Sequence, residues 1–361
     1  MGQHFERKAS WILVTAILLT LPARGGSEST GVDALFDHFN EGVQPGVAVM
    51  VIRDGEVVHS KGYGYANLED RTPITENSTF RLGSVSKQFT ALAVALLADR
   101  GQLDLDDPIA RSYVPALAPY KGVTVRHLMT HMSGLPDYYD RIDLSEWEES
   151  GTIPSNRDVM EYVGELGKRD FRPGKKYVYS NPAYEALCLV VEAVSGQSFA
   201  EFMREEVFLP IGMDNSLIHD HHRPAIKRQV RGYAQTEGGY ELDDWDTLNG
   251  ITGSGSQFST LEDFYAWDQA LYGDSIFSDT LLEQAFTRAR LNNGKEIDYG
   301  FGFRLDSYKG HRRIAHGGSW VGFNTAISRY PDLELTVVVL SNRSEYDPVA
   351  VSDKVTDIFL D

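Results

Sequence analysis

Ser84 and Lys87 stand three residues apart in the segment Phe80-Arg-Leu-Gly-Ser-Val-Ser-Lys-Gln-Phe-Thr90. In a helix, residues with this spacing lie on one face, so the hydroxyl and the amine can meet. A lysine that is shielded from water becomes less basic and can act as a base toward a neighbouring hydroxyl. The spacing therefore predicts a nucleophilic serine with a lysine partner. The alternative is an N-cap serine beside a solvated lysine, because a two-residue motif carries little weight alone.

A long apolar run follows these two residues and would hold them in place. From Phe89 to Ala98 only Thr90 is polar, which predicts a helix that is buried on every side. Gly101 follows Asp99-Arg100, where such a helix is expected to end. A buried helix is a rigid support for a reactive pair at its N-terminal end.

The segment Tyr177-Val-Tyr-Ser-Asn-Pro182 adds a phenol and an amide, those of Tyr179 and Asn181. Pro182 suits the first position of the helix predicted to follow, so the two side chains belong to a loop. Near a lysine the pKa of the Tyr179 phenol is expected to fall, which would make it a proton acceptor. The alternative is loop packing with an asparagine cap.

The segment Ile314-Ala-His-Gly-Gly-Ser-Trp320 places an imidazole and two glycines at the end of a predicted strand. Gly317 and Gly318, which follow His316, allow another backbone to approach the strand closely. We expect the backbone N–H of Ser319 to act with that of Ser84 as a pair of oxyanion donors. Taken alone, the segment would be a turn with a surface histidine.

The order of the predicted elements indicates an α+β fold. Strands at both ends of the chain suggest one antiparallel sheet, flanked by helices, with an all-α insertion lobe between them. We expect a sheet lobe of about residues 30–80 and 290–361 and a helical lobe of about 81–289. The strands are predicted at 46–52, 56–65, 299–307, 312–316, 323–330 and 335–340, and the helices at 31–41, 89–98, 123–131, 157–166, 182–194, 199–208, 261–271 and about 348–360.

Composition excludes some classes of function. The 361 residues carry a net charge of −18, with a pI near 5.0, which argues against nucleic acid and anionic membrane surfaces as partners. Cys188 is the only cysteine and lies in an apolar run, so we expect a buried thiol and no intrachain disulfide.

Residues 1–26 have the layout of a secretory signal. Arg7 and Lys8 precede an apolar stretch at 11–21, and Pro22-Ala-Arg-Gly-Gly26 follows it. The apolar stretch is too short to cross a bilayer comfortably. We therefore expect a signal peptide at 1–26, a secreted or periplasmic mature chain of 27–361, and no stable membrane span once the signal is removed. An uncleaved anchor or a core helix is the alternative.

The three chemical segments together resemble the motifs of the serine β-lactamase and penicillin-binding protein superfamily. Ser-Val-Ser-Lys, Tyr-Ser-Asn and His-Gly-Gly occur in its order, and the closest resemblance is to its class C-like branch. That branch includes D-Ala-D-Ala carboxypeptidases, D-amino-acid peptidases and lactamase-fold esterases. The resemblance runs from about Val32 to the C-terminus and includes the stretches 125–135, 171–174, 209–213 and 253–260.

The resemblance implies a role for each segment. Ser84 would be the acylated nucleophile, Lys87 its activating partner, and Tyr179 the general base that later protonates the leaving group. Asn181 would orient the substrate, and Ser84 and Ser319 would supply the oxyanion N–H groups. It also implies a five-stranded sheet, a small ester or peptide substrate, and no metal or other cofactor; the oligomeric state stays open.

One departure from the family pattern bears on specificity. Many members have Lys-Thr-Gly where this chain has His316-Gly317-Gly318. Because histidine is mostly neutral near pH 7, capture of a substrate carboxylate should be weaker and pH-dependent. This favours an esterase or peptidase over an efficient class C β-lactamase. A catalytically silent member that only binds peptidoglycan or a partner is the alternative from another class.

Overall fold

Strands from both ends of the chain form a six-stranded antiparallel sheet in the order β10-β11-β12-β13-β1-β2. The computed structural model describes residues 25–139, 141–220, 225–273 and 275–360. The predicted sheet is confirmed, with one strand more than the five implied by the resemblance. The strands are β1 Val47–Arg53, β2 Glu56–Tyr63, β3 Tyr65–Asn67, β4 Thr72–Pro73, β5 Phe80–Arg81, β6 Leu217–Ile218, β7 Tyr233–Thr236, β8 Gly239–Leu242, β9 Gln257–Ser259, β10 Arg304–Tyr308, β11 His311–Trp320, β12 Phe323–Tyr330 and β13 Leu335–Ser341.

Helices cover the sheet and fill most of the insertion between its two halves. The insertion also carries the short strands β5 to β9, so it is mainly rather than wholly helical. The helices are α1 Gly25–Phe36, α2 Ser86–Asp99, α3 Ile109–Ser112, α4 Val125–Met129, α5 Ser145–Ser150, α6 Asn156–Leu166, α7 Asn181–Ser195, α8 Phe199–Phe202, α9 Leu261–Ala270, α10 Asp279–Ala285 and α11 Pro348–Ile358. The division into two lobes at the stated residues stays a prediction.

Alternation along β1 divides the interior into two layers. Val49 and Val51 face the layer beneath α1 and α11, whereas Met50 and Ile52 face the larger core. Successive side chains of a strand point to opposite faces, so a strand that is buried on both faces reads as a continuous apolar run. The apolar sequence of β1 follows from this position in the middle of the sheet.

Helix α2 is buried from Ser86 to Leu97, as its apolar sequence predicts. Its Phe89 ring lies 3.9 Å from the Trp267 ring of α9, measured between centroids. The chain leaves the helix through Gly101 at φ +70°, a conformation that glycine adopts without strain.

The helix predicted at 31–41 spans Gly25–Phe36, and the strand predicted at 312–316 extends over His311–Trp320. Three further boundaries were wrong, each for a local reason. The strand predicted from residue 299 begins at Arg304, because Gly302 turns at φ +79° against the backbone of α2, where a Cβ would lie 2.6 Å from the Lys87 carbonyl oxygen. The helix predicted at 123–131 is shorter, since Thr124 caps its start and His131 has a positive φ of 56°. The helix predicted at 199–208 is α-helical only to Phe202 and continues as a π-helical turn.

Most of the predicted signal segment, residues 1–24, lies outside the described residues, and Gly25 begins α1. Within the described ranges no single helix is long and apolar enough to cross a bilayer; one bent pair, Asn181–Ser195 with Phe199–Ile211 at 78°, meets that criterion only jointly.

Candidate active site

Ser84 lies in a short 3-10 turn, Gly83–Val85, immediately ahead of α2 rather than inside its first turn. Lys87 belongs to α2, and its Nζ donates to Ser84 Oγ over 3.0 Å. The structure thus brings the predicted pair into direct hydrogen-bond contact. Gly83 has φ +51°, the left-handed conformation that lets the chain turn sharply into the helix.

Lys87 is completely buried and its amine is held by three acceptors. Besides Ser84, Nζ donates to Asn181 Oδ1 over 2.8 Å and to the backbone oxygen of Ser254 over 2.9 Å. Burial lowers the pKa of Lys87 to about 7, against the opposing charges of Glu185 and Asp137. The predicted direction of this pKa shift agrees with the structure, so a neutral amine is accessible near neutral pH.

The Tyr179 ring packs against the His131 ring. The two ring centroids lie 4.3 Å apart, and His131 Nδ1 accepts the backbone N–H of Ser180 over 3.0 Å. The Tyr179 hydroxyl is buried and has no hydrogen-bond partner among the described residues. Burial raises the pKa of Tyr179 well above its usual value, and the nearby Ser84 hydroxyl only partly offsets the rise. The predicted fall in this pKa was therefore wrong, because desolvation of the phenol outweighs the effects of the Ser84 hydroxyl and the Arg304 charge.

Asn181 occupies the first position of α7, directly after the Ser180 cap. Its side-chain oxygen accepts from Lys87, so in this structure the carbonyl half of the amide holds the lysine. The resemblance implied that Asn181 orients the substrate. The structure adds a contact with Lys87, which the sequence did not indicate.

Gly83 in the turn Gly83–Val85, called the nucleophile turn below because it carries the predicted nucleophile, and Gly318 in β11 allow the two backbones to come into contact. A Cβ on Gly318 would lie 2.1 Å from the Leu82 carbonyl oxygen and 2.9 Å from Ser84 N, and one on Gly83 would lie 2.8 Å from Ser319 N. The backbone N–H groups of Ser84 and Ser319 therefore belong to one small region. Two converging N–H groups are the arrangement that an oxyanion site requires.

His316 is 2% exposed and both of its ring nitrogens are engaged. Nδ1 donates to the Gly317 oxygen over 2.6 Å, and Nε2 therefore accepts from Tyr299 Oη over 3.0 Å. Burial, together with the charge of Lys87, lowers the pKa of His316 to about 3. The expectation that His316 is mostly neutral near pH 7 agrees with this pKa. The expected pH-dependent capture of a carboxylate does not, because the imidazole stays neutral throughout the working range.

A cavity of about 660 Å³ is lined by Ser84, Tyr179 and residues of β10, β11, β12 and the segment 344–349. Strand β11 has β12 on one side and β10 on the other. Strand β10 pairs with it only as far as the Arg304–Ala315 pair, so residues 316–320 of β11 have no partner in β10. The predicted site residues on its wall are Ser84, Tyr179, His316, Gly317, Gly318 and Ser319.

Arg304 lies on the wall of the same cavity and was missed in the sequence. It is exposed and forms no salt bridge with any described residue. Strand pairing places it opposite Ala315, the neighbour of His316. Its positive charge partly opposes the rise that burial causes in the Tyr179 pKa, and adds to the fall that burial causes in the His316 pKa. No pattern in the sequence indicates this, because the proximity arises from the pairing of β10 with β11.

Glu185 is the second residue that the sequence analysis missed. It is completely buried on α7, and burial raises its pKa to about 7. A signal was present, since Glu185 is the one charged residue in the apolar run from Pro182 to Val191. Charged residues are rarely fully buried without a partner, so such a position calls for a reason.

Residues 32–358 match the family model described as "Beta-lactamase". The chain belongs to the β-lactamase family. It is 36% identical over 332 residues to penicillin-binding protein 4* of Bacillus subtilis, covering 87% of this chain and 72% of the relative. It is 30% identical to a D-aminopeptidase of Gluconobacter oxydans, covering 85% of this chain but only 57% of that longer protein.

The fold comparison agrees with the sequence comparison. The octameric penicillin-binding protein homologue from Pyrococcus abyssi superimposes with a TM-score of 0.79 at 28% identity, over 93% of this chain and 77% of that one. The family expected from the three motifs is confirmed, and the chain is a serine hydrolase with the β-lactamase fold.

Proposed function

We propose that this chain is an exported serine hydrolase that works through an acyl-enzyme on Ser84. The observation that carries the proposal is the 3.0 Å contact between Lys87 Nζ and Ser84 Oγ at a fully buried lysine. An amine with a pKa of about 7 is a strong enough base to take the serine proton and is available in its neutral form.

In the acylation step, Lys87 takes the proton of Ser84 as Oγ attacks the substrate carbonyl. The N–H groups of Ser84 and Ser319 stabilise the negative charge on the carbonyl oxygen. Tyr179 keeps its proton until the bond to the leaving group breaks, and then donates it to the departing nitrogen or oxygen. The high pKa of the buried phenol supports this donor role as the first function of Tyr179.

Deacylation reverses the proton movements. The tyrosinate left on Tyr179 takes a proton from the attacking water, and the ammonium of Lys87 returns its proton to Ser84 as the acyl group leaves. Every group ends the cycle in the state in which it began, so no external acid or base is consumed.

We further propose that the leaving group carries a carboxylate that binds Arg304. The free guanidinium at the far end of the cavity supplies the fixed cation that His316 lacks. This removes the reason for preferring neutral esters, and it favours short peptides with a free C-terminus. Similarity to a D-aminopeptidase supports D-amino acids as the acyl part of the substrate.

Labelling with a fluorophosphonate tests the nucleophile. We expect Ser84→Ala to lose labelling and to lower turnover of a p-nitrophenyl ester by about 10³-fold or more. Ser86→Ala is the matched control, since Ser86 is the first residue of α2, two positions after Ser84, and its hydroxyl accepts the Gln257 N–H over 3.3 Å. If Ser84→Ala labels like the unmodified enzyme, the mechanism is wrong.

Parallel turnover of three substrates tests the specificity. A D-Ala-D-Ala peptide, nitrocefin and a neutral p-nitrophenyl ester share the acyl-transfer step but differ in the leaving group and its charge. We expect the peptide to give the largest kcat/KM. A larger value for nitrocefin would make the enzyme a β-lactamase, and a larger value for the ester would restore the esterase preference.

A further inference from the structure

The side chain of Glu185 is buried in the same part of the interior as Lys87, and Ser254 contacts both side chains. Asn181 and Glu185 are one turn apart on α7 and therefore share the face that carries the Lys87 contact. Ser254 joins the two charged residues, because its backbone oxygen accepts from Lys87 Nζ over 2.9 Å and its hydroxyl donates to Glu185 Oε1 over 3.1 Å.

The carboxyl group of Glu185 is only partly satisfied. Oε1 also accepts the Tyr138 hydroxyl over 2.8 Å, whereas Oε2 is buried without a hydrogen-bond partner among the described residues. A buried carboxylate in this state is costly unless a positive charge lies nearby. Lys87 is that charge, and each residue makes the charged form of the other more favourable.

We propose that Glu185 is a positioning residue for Lys87, whose carboxylate balances the ammonium charge that Lys87 carries once it has taken the Ser84 proton. This inference rests on the proposed function of Lys87. Because both groups are buried, water screens their attraction less than it would at the protein surface. The carboxylate would thereby hold the amine in the range where it accepts and returns a proton near neutral pH.

Other titratable groups face this pair and have smaller or different effects. Asp137, on the loop before Tyr138, raises the pKa values of both Lys87 and Glu185, but it is exposed and hence screened by solvent. The remaining groups around the pair are Tyr138 and Tyr139 on that loop, Tyr184 and Cys188 on α7, and Tyr179, His131 and His316 around the lysine.

The substitution Glu185→Gln tests the inference, since it removes the charge and keeps an oxygen for Tyr138 and Ser254. Loss of the negative charge lowers the pKa of Lys87, so the acid limb of the kcat/KM profile should move to lower pH by about one unit. The plateau should fall about tenfold, because the amine is a weaker base and its ammonium form is less stabilised. A p-nitrophenyl ester serves as substrate.

Glu192→Gln is the matched control. Glu192 lies on the same helix, is half-buried, and accepts the Phe199 N–H over 3.1 Å. Because it is also a Glu-to-Gln replacement, the change in net charge is the same as in Glu185→Gln. We expect it to leave the acid limb in place. A purely structural role for Glu185 would lower the rate at every pH without moving the limb, and that result in folded Glu185→Gln overturns the inference.

Ser254→Ala tests the role of Glu185 if Glu185→Gln does not fold. It removes the hydroxyl that stabilises ionised Glu185 but keeps the backbone oxygen that accepts from Lys87, so the limb should move in the same direction by a smaller amount. An unmoved limb there overturns the inference. Ser84→Ala separates the two proposals: if it is inactive while the limb stays fixed in these variants, only the role of Glu185 fails.

Discussion

The site has a helical side, formed by α2 and α7, and a strand side, formed by β10 and β11. The charged groups of the two sides differ in how deeply they are buried. On the helical side, Lys87 and Glu185 are completely buried, and both have pKa values of about 7. On the strand side, Arg313 is paired with Asp306 and Asp353, whereas Arg304 is exposed and has no salt-bridge partner among the described residues. Burial brings a charged group to the point where it gains or loses a proton, whereas an exposed guanidinium stays charged. The helical side is therefore suited to moving protons and the strand side to binding a fixed charge.

The comparison also explains what the histidine on β11 does. His316 is buried, neutral and hydrogen-bonded to Tyr299, so it shapes the wall of the cavity without contributing charge. Arg304, the exposed cation on the wall of the cavity, lies one strand away on β10. Under the proposed carboxylate contact, it would supply the positive charge that His316 does not carry.

The largest expected effect is on the helical side. Lys87→Met removes the base and keeps most of the side-chain volume, so kcat/KM should fall by about 10³-fold while the cavity is unchanged. Steady-state kinetics with a p-nitrophenyl ester measures the loss, with exposed Lys176→Met as control. Near-normal activity in a folded Lys87→Met enzyme would mean that Tyr179 is the first base.

A second substitution separates backbone placement from charge. Gly318→Ala puts a methyl group 2.1 Å from the Leu82 oxygen, which should push β11 away from the nucleophile turn. We expect kcat to fall about 10²-fold, because one oxyanion donor is displaced. Gly238→Ala, where the nearest atom is 3.9 Å away, is the control. If Gly318→Ala melts normally and keeps full activity, the Ser319 N–H is not part of the oxyanion site.

The strand side predicts a smaller, substrate-dependent effect. Arg304→Gln should raise KM about tenfold for a peptide with a free C-terminal carboxylate and leave a neutral ester unchanged. Arg312→Gln is the control, since Arg312 lies on the adjacent strand and donates to the Phe286 oxygen. Equal effects of Arg304→Gln on both substrates would remove the carboxylate contact.

The smallest expected effect is a pH profile that does not change. Lys87 must be neutral to act as a base, so kcat/KM should rise as pH increases through about 7, the pKa of its amine. His316 has a pKa of about 3 and does not titrate in this range, so His316→Asn should leave the limb where it is. A limb that disappears in His316→Asn would assign the titration to the imidazole instead.

Motif order and apolar periodicity were enough to predict the family, the sheet built from both chain ends, and the segments that line the cavity. These properties are local or depend on strand order, which the sequence carries directly. The failures at the site have a common cause. The pKa of Tyr179, the absence of titration of His316 near neutral pH, and the positions of Arg304 and Glu185 all depend on how deeply each group is buried and on what lies beside it.

By itself, then, the sequence determined that Ser84 and Lys87 lie close together at the N-terminal end of a buried helix, because that follows from a three-residue spacing and an apolar run. Only the tertiary structure decided the charge states around them. Glu185 is separated from Lys87 by 98 positions but joined to it through one serine, which is itself 167 positions from the lysine. Electrostatic interactions follow distance in space and exclusion of water, and neither is written in the order of the residues.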